Sequence, residues 1–144
     1  MDNVLIDTDV ILDFFFDRKP FSDHATKLLS LCESKVIIAY VTPVIISNVY
    51  YLLKRTAKHE YVIDKLTQLL LVVDVLDMNF EVVKNALNSG FKDFEDAMQN
   101  FAAVKHGKID VILTRNVKDF KKSEIGIMTP ENYIKSRNAN LFRW

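Results

Sequence analysis

Short, uninterrupted apolar runs alternate along this chain with longer segments in which apolar residues recur at wider spacing. An unbroken apolar run of a few residues, rich in Val and Ile, is typical of a strand buried on both faces of a sheet. The runs predict strands at residues 4–6, 36–41, 72–76, 111–113 and 126–128.

Apolar residues in the intervening segments are three or four positions apart, which predicts amphipathic helices. Ala25, Leu28 and Cys32, for example, share one face of a helix that begins at Ser22. Thr42-Pro43 is a further helix-start signal, because Pro suits the first turn. Helices are therefore predicted at residues 10–16, from 22, at 43–53, at 59–71, between 79 and 89, at 93–105 and from 130.

Strands that alternate with helices predict an α/β fold in which a central, mostly parallel sheet lies between two helical layers, α/β/α. No linker, repeat or low-complexity tract divides the 144 residues, so we expect a single domain over residues 1–144. The tail at residues 138–144 contains Leu141, Phe142 and Trp144. We expect this apolar tail to dock on its own domain or on a second copy.

Composition narrows the class of protein. The formal net charge is zero, which argues against a protein that coats nucleic acid. No apolar run approaches the roughly 20 residues that span a bilayer, and no signal-peptide pattern opens the chain, so we expect a cytoplasmic protein without a membrane partner.

A local basic cluster fits a surface that faces phosphates and an ordinary solvated surface equally well. It comprises Lys105, Lys108, Arg115, Lys118, Lys121 and Lys122.

Acidic and polar residues follow the predicted strands. Asp7 and Asp9 come directly after the first strand, Asn116 follows a later one, and the acidic residues of 93–96 open a late helix. Because sites in parallel sheets collect beyond the carboxyl ends of the strands, we expect these groups to converge. Taken alone, Asp9 has a second interpretation as a helix N-cap, and the acids at 93–96 favour a helix start.

Carboxylates gathered at one sheet edge repel one another and have raised pKa values unless a cation lies among them. Oxygen ligands without a matching set of histidines or cysteines favour Mg²⁺ or Mn²⁺ over zinc. The three histidines show no metal-binding spacing. A divalent cation held by carboxylates lowers the pKa of bound water and neutralises a phosphate, which suits phosphodiester hydrolysis.

The opening stretch VLIDTDVILD resembles the first motif of PIN domains, which are Mg²⁺- or Mn²⁺-dependent ribonucleases that include VapC-type toxins. VTPVIISNVYYLL, FEDAMQNFAA and ILTRNVKDF resemble the second, third and fourth motifs, in that order. The resemblance spans residues 4–132, nearly the whole chain.

The resemblance implies a metal site. By position, Asp7, Asp96 and Asp119 are the catalytic carboxylates and metal ligands, and Asn116 beside Asp119 is a further ligand. Residues expected to support ligands or to contact the substrate are Thr8, Thr114, Arg115 and Lys118.

Position 48 departs from the family pattern. Asn48 stands where most members have a glutamate; its carbonyl oxygen can still bind a cation, but the site loses one negative charge. Asp9 stands where the family more often has a neutral residue. Our hypothesis is that Asp9 joins the metal site and supplies the charge that Asn48 lacks.

The acidic residues predict metal-dependent hydrolysis of a phosphodiester. The resemblance implies that the substrate is single-stranded or looped RNA and that cleavage leaves 5′-phosphate and 3′-hydroxyl ends. The resemblance further implies a toxin that forms a homodimer and is inhibited by an antitoxin protein. A catalytically weakened module that binds RNA or protein is an alternative, which Asn48 supports. A haloacid-dehalogenase-type phosphatase is another, with Asp7 as nucleophile and Asp9 as acid/base, although the late acidic pair of that family is missing.

Overall fold

The structure is a computed structural model that describes the backbone of residues 1–141 and the side chains of residues 1–138. The expected docking of Leu141, Phe142 and Trp144 lies outside this described part. None of the helices in the described part is long and apolar enough to cross a bilayer.

Five strands form one sheet, in the order β3-β2-β1-β4-β5. They are β1 (Asn3–Ile6), β2 (Ile38–Val41), β3 (Val73–Val75), β4 (Val111–Leu113) and β5 (Gly126–Met128). Every neighbouring pair is parallel, which confirms the predicted α/β fold with a parallel central sheet. Successive strands run from β1 toward one edge and then from β4 toward the other, so the strand order switches direction between β1 and β4.

The described part has seven α-helices and one 3-10 helix; all but the last α-helix, which follows β5, connect the strands. They are α1 (Thr8–Phe15), α2 (Ser22–Glu33), α3 (Pro43–Lys54), α4 (His59–Leu69), α5 (Phe80–Leu87), α6 (Phe94–His106) and α7 (Pro130–Leu141), with the 3-10 helix at Val117–Phe120. Right-handed crossovers in opposite directions along the sheet put α1–α4 on one face and α5 and α6 on the other.

Local sequence signals explain several helix starts. The side chain of Thr42 accepts a hydrogen bond from the amide of Ile45 at the start of α3. Asn79 accepts one from Val82 in the same way at the start of α5. Such caps satisfy amide groups that have no partner within the helix, which stabilises each helix start by about 1 kcal/mol.

The start of α1 differs from the prediction. The helix begins at Thr8, and its N-cap is Asp7, whose carboxylate accepts a hydrogen bond from the Thr8 amide. The interpretation of Asp9 as the cap is therefore wrong, because Asp9 lies inside the first turn. Asp7 is thus held by the backbone at the point where β1 ends.

The core lies on both faces of the central strands. Val4, Leu5 and Ile6 of β1 and Ile112 and Leu113 of β4 are fully buried. Burying an aliphatic side chain contributes about 1.5–3 kcal/mol, so these two strands form a stable platform. The carboxyl ends of β1 and β4 are consequently the best-anchored points of the sheet edge that carries the predicted site.

Candidate active site

The candidate site lies where the strand order switches direction, the place at which open α/β sheets bind their ligands. Asp7 follows β1 directly and Thr114 follows β4 directly. The amide of Asp7 donates a hydrogen bond to the carbonyl of Leu113 over 3.0 Å, which extends the pairing of the two strands into the site.

Asp7 is buried and its carboxylate accepts three hydrogen bonds. The Thr8 amide and Nε2 of Gln99 donate to Oδ1 over 2.7 and 3.0 Å, and Oγ1 of Thr114 donates to Oδ2 over 2.7 Å. Burial raises the pKa of Asp7, and the hydrogen bonds from Thr114, Gln99 and Thr8 oppose that rise. The donors therefore hold a buried carboxylate in one orientation and favour its ionised form.

Helix α6 brings Asp96 to the same site. Asp93 caps the helix by accepting a hydrogen bond from the Asp96 amide over 2.9 Å. Burial raises the pKa of Asp96 to about 8, and the negative charges of nearby carboxylates act in the same direction. These are, in order of effect, Asp7, Asp93, Asp119 and Glu95. Carboxylates that are far apart in sequence thus repel one another here, which a bound cation would relieve.

The loop after β4 supplies the fourth-motif residues. Asn116 donates from Nδ2 to Oδ2 of Asp9 over 3.2 Å, and its amide donates to Oγ1 of Thr114 over 3.0 Å. The 3-10 helix that follows carries Asp119 at its exposed surface. The loop is therefore tied to the start of α1 by the Asn116–Asp9 hydrogen bond.

Asn48 lies on α3 and connects that helix to α6. Its Nδ2 donates a hydrogen bond to Oε2 of Glu95 over 2.8 Å. The side chain at the second-motif position is thus hydrogen-bonded to a carboxylate of α6, the helix that carries the third motif.

These groups line one open cavity of about 440 Å³. The predicted site residues that line it are Asp7, Thr8, Asp9, Asn48, Asp96, Asn116 and Asp119. Thr114 supports the cavity from behind through its hydrogen bond to Asp7. The structure therefore brings eight of the ten predicted residues together.

Arg115 and Lys118, predicted to contact the substrate, do not line this cavity. The Nε atom of Arg115 lies 2.9 Å from the buried carboxylate of Asp13, and its guanidinium group stacks on Phe21, 4.1 Å from the ring centroid. Arg115 is thus held by α1 and the chain before α2. Arg55, which directly follows α3, is a basic residue that does line the cavity and that the sequence analysis did not identify.

Gln99 and Glu95 are site residues that the sequence analysis missed. Gln99 is 1% exposed, and its Oε1 atom has no hydrogen-bond partner among the described residues. The available signal was the spacing, since Gln99 lies three positions after Asp96, on the same face of α6. The hydrogen bond between Glu95 and Asn48 had no sequence signal, because it joins two helices.

The donor set fits a hard divalent cation. Within the described residues, no three carboxylate, imidazole or thiolate groups stand close enough to hold an ion by themselves. Mg²⁺ in proteins is usually bound through one or two carboxylates and keeps several waters, so such a cage is not required. Asp7 and Asp96 offer carboxylates, and Gln99, which lines the same cavity, has a buried Oε1 acceptor without a partner among the described residues.

Comparison with known proteins places the chain in a family. The model of the PIN domain matches residues 3–118. No curated protein matches the chain.

Solved structures share the fold at low sequence identity. The toxin–antitoxin complex from Klebsiella pneumoniae contains a chain 21% identical, with a TM-score of 0.66 and 88% of this chain and 97% of that chain covered. VapBC-1 from nontypeable Haemophilus influenzae is 16% identical, with a TM-score of 0.68 and coverage of 90% and 98%. Mycobacterium tuberculosis VapC20, described as a sarcin–ricin loop cleaving toxin, is 19% identical, with a TM-score of 0.60 and coverage of 76% and 86%.

The match to the family model extends over most of the chain and includes the segments around Asp7, Asn48 and Asp96. The likeness to solved structures adds agreement of the fold. The resemblance seen in the four motifs is thereby confirmed, and the chain belongs to the PIN domain family.

Proposed function

We propose that this chain is a Mg²⁺- or Mn²⁺-dependent endoribonuclease that acts as the toxin of a toxin–antitoxin pair. The observation that carries the proposal is the meeting of Asp7, Asp96 and Asp119 at one cavity, where their mutual repulsion contributes to the raised pKa of Asp96. Groups that repel one another at the mouth of an open cavity are typical of a cation site.

In this proposal Asp7 and Asp96 bind the cation, and Asp119 binds it directly or through water. Asn116, Asn48 and Asp9 line the same cavity and complete the set of oxygen donors. When bound, the cation supplies an activated water and neutralises charge on the phosphodiester. Thr114 and Gln99 orient the carboxylate of Asp7 through their hydrogen bonds, which favour its ionised form against the effect of burial on its pKa.

RNA contacts are proposed at the side of the cavity formed by α3. Tyr51 is 66% exposed and lines the cavity together with Arg55. An exposed aromatic ring can stack on an unpaired base, and an arginine beside it can bind the adjacent phosphate. This pairing supports a single-stranded or looped RNA substrate. The predicted contacts of Thr8, Arg115 and Lys118 with RNA remain part of the proposal.

An antitoxin partner and a homodimer are also proposed. The Klebsiella pneumoniae structure is described as a toxin–antitoxin complex, which supports a protein partner for a chain of the same fold. The surface of this chain carries large exposed apolar side chains, including Leu71, Phe80 and Leu87. Phe80 and Leu87 are seven positions apart on α5 and so share one face of that helix, and an exposed apolar helix face is a candidate contact for a partner.

The proposal is tested by incubating the full chain with structured RNA and Mn²⁺, with and without EDTA. We expect cleavage that EDTA abolishes and that Asp96→Asn reduces by at least about 100-fold, because a ligand charge is lost at the point of reaction. Analysis of the products should find 5′-phosphate and 3′-hydroxyl ends. Cleavage that persists in EDTA and in Asp96→Asn would contradict the proposal.

A catalytically weakened module that binds RNA or protein is the second candidate function. The observation that favours it is the neutral side chain of Asn48, which lowers the number of charges available to a cation. Tight RNA binding by a chain that binds no cation at high Mg²⁺ would support this candidate. The phosphatase alternative is not proposed, because the chain belongs to the PIN domain family.

A further inference from the structure

The hydrogen bond between Asn48 and Glu95 links α3 to α6 at the cavity. Nδ2 of Asn48 donates to Oε2 of Glu95 over 2.8 Å, and both side chains line the cavity. Glu95 is otherwise an exposed residue in the first turn of α6. A long exposed side chain normally samples many rotamers, so this contact selects an orientation in which the carboxylate is directed toward Asn48.

The neutral amide of Asn48 is what permits this contact. A carboxylate at position 48 would lie about 3 Å from Oε2 of Glu95, and like charges at that distance repel strongly. An amide instead offers an N–H donor that binds one oxygen of the Glu95 carboxylate. The second carboxylate oxygen and the amide oxygen are then left free. Asn48 and Glu95 thus form a complementary pair that contains one negative charge.

A second observation shows that the cavity is suited to a ligand. Gln99 lines the same cavity, and its buried Oε1 atom has no hydrogen-bond partner among the described residues. A buried acceptor of this kind is costly unless it is satisfied by water or by a cation. Gln99 and Glu95 are four positions apart on α6, so one turn of that helix presents both groups.

We propose that Glu95, held in place by Asn48, is the carboxylate that supplies the charge missing at position 48 of the cation site. The inference rests on the proposed function, because it assigns a residue to the cation site of that proposal. It is an alternative to the hypothesis that Asp9 provides the charge: Glu95 is hydrogen-bonded to Asn48 itself, whereas Asp9 is hydrogen-bonded to Asn116. In this arrangement position 48 carries the amide and position 95 carries the carboxylate.

The alternative for Glu95 is a structural one. An acidic residue in the first turn of a helix interacts favourably with the helix dipole, whether or not a ligand binds nearby. Glu81 provides a matched control for this effect, because it is the second residue of α5 as Glu95 is the second residue of α6. Both follow a phenylalanine, and both are exposed. Glu81 does not line the cavity.

The test measures Mn²⁺ binding by isothermal titration calorimetry in the full-length chain, its Glu95→Gln variant and its Glu81→Gln variant. We expect Glu95→Gln to weaken Mn²⁺ binding by about 10-fold or more, the usual effect of losing a supporting group of a metal site. The Mn²⁺ affinity of Glu81→Gln should lie within about twofold of that of the unchanged chain, since an exposed substitution away from the site has little effect. Thermal unfolding in EDTA verifies that all variants are folded.

A charge-exchange variant tests the pairing itself. In the double variant Asn48→Glu with Glu95→Gln, the amide and the carboxylate change places, and the net charge is that of the unchanged chain. We expect this double variant to recover most of the Mn²⁺ affinity lost in Glu95→Gln alone.

The outcomes distinguish the inference from the proposed function. If the unchanged chain binds Mn²⁺ and Glu95→Gln binds it as tightly as Glu81→Gln does, the inference is overturned and the proposed function stands. A double variant that binds as weakly as Glu95→Gln overturns the exchange between positions 48 and 95. Failure of the unchanged chain to bind Mn²⁺ overturns both the inference and the proposed function.

Discussion

Gln99 donates a hydrogen bond from Nε2 to Oδ1 of Asp7 over 3.0 Å, although the two residues are 92 positions apart in the chain. Asp7 stands at the end of β1, and Gln99 lies on α6, which covers the opposite face from α1. Both side chains are buried, at 5% and 1% exposure. This contact fixes the orientation of the carboxylate. Gln99 lines the cavity, and its Oε1 atom has no hydrogen-bond partner among the described residues.

Replacing Gln99 by Leu should disable the site without changing a charge. The substitution removes the donor to Asp7 and the acceptor at the cavity, so Mn²⁺ affinity should fall by about 10- to 100-fold. Calorimetric titration of Mn²⁺ and initial rates of RNA cleavage measure the effect. The control is Gln68→Leu, because Gln68 is exposed on α4 and bonds only Asp64 within its own helix. Equal Mn²⁺ affinities in the two variants would contradict the role of Gln99.

Replacing Thr114 by Val should destabilise the fold. Oγ1 of Thr114 donates to Oδ2 of Asp7 over 2.7 Å, and both residues are buried. Val has nearly the same shape but no donor, so the free energy of unfolding should fall by about 1.5–3 kcal/mol, the range for a bond to a charged group. Urea unfolding in EDTA at pH 7 measures the change. Thr114→Ser retains the hydroxyl, so its free energy of unfolding should fall by less. Equal decreases in the two variants would rule out the hydrogen bond as the cause.

The stability of the metal-free chain should decrease as pH rises. The pKa of Asp96 is about 8 in the folded chain against an ordinary value of 3.8, so the folded state holds a proton that the unfolded state releases. The contribution of Asp96 to the free energy of unfolding therefore falls as pH rises between these two values. An asparagine at this position cannot titrate, so Asp96→Asn should raise Tm at pH 8 by about 4 °C, the shift that about 1 kcal/mol produces in a domain of this size. Thermal unfolding in EDTA at pH 5 and pH 8 tests this; the same loss of Tm between the two pH values in both chains would contradict it.

Cation binding should show the opposite dependence on pH. Because the proton on Asp96 must leave before the carboxylate can bind a cation, Mn²⁺ affinity should rise by up to about tenfold per pH unit below pH 8. Titrations at pH 6, 7 and 8 in buffers of different ionisation enthalpy would report the proton released. Mn²⁺ affinity that does not change with pH would show that Asp96 is ionised before the cation binds.

Arg115 should contribute to stability through Asp13. The carboxylate of Asp13 is buried and lies 3.0 Å from Nε of Arg18 and 2.9 Å from Nε of Arg115. Removing the sole partner of a buried charge costs about 3–5 kcal/mol. Since Arg18 remains, Arg115→Met should lower the free energy of unfolding by about 2 kcal/mol. Lys118→Met is the matched exposed change and should stay within about 0.5 kcal/mol. Weaker RNA binding by Arg115→Met at unchanged stability would instead assign Arg115 to the substrate.

Much of the fold could be predicted because its signals are local. The five apolar runs correspond to the five strands, and the helix starts at Pro43, Phe80 and Pro130 follow from capping and proline signals in adjacent residues. Strand ends are also local features, which is why Asp7 was found at the edge of the sheet. The start of α1 was misplaced because Asp7 and Asp9 are equally good caps by sequence.

The site was only partly predictable. The motifs at Asp7, Asp96 and Asn116 indicated the cavity, since residues that follow strands or open a helix beside them must meet at one edge. Glu95 was interpreted as a helix-start residue, and Arg115 was assigned to the substrate. Their contacts with Asn48 and Asp13 join separate elements, so neither sequence spacing nor residue type reveals them.

The order of apolar and polar residues alone determined the strands, the helices and the edge at which the acidic residues collect, because these depend on hydrogen bonds and burial within short segments. Only the tertiary structure decided which side chains at that edge lie close enough to form hydrogen bonds and to shift one another's pKa values. The distance between Asn48 and Glu95 and the burial of Asp7 and Asp96 depend on how α3 and α6 pack against the sheet. Electrostatic energies change steeply with separation and solvent exposure, so the chemistry of the site follows from that packing.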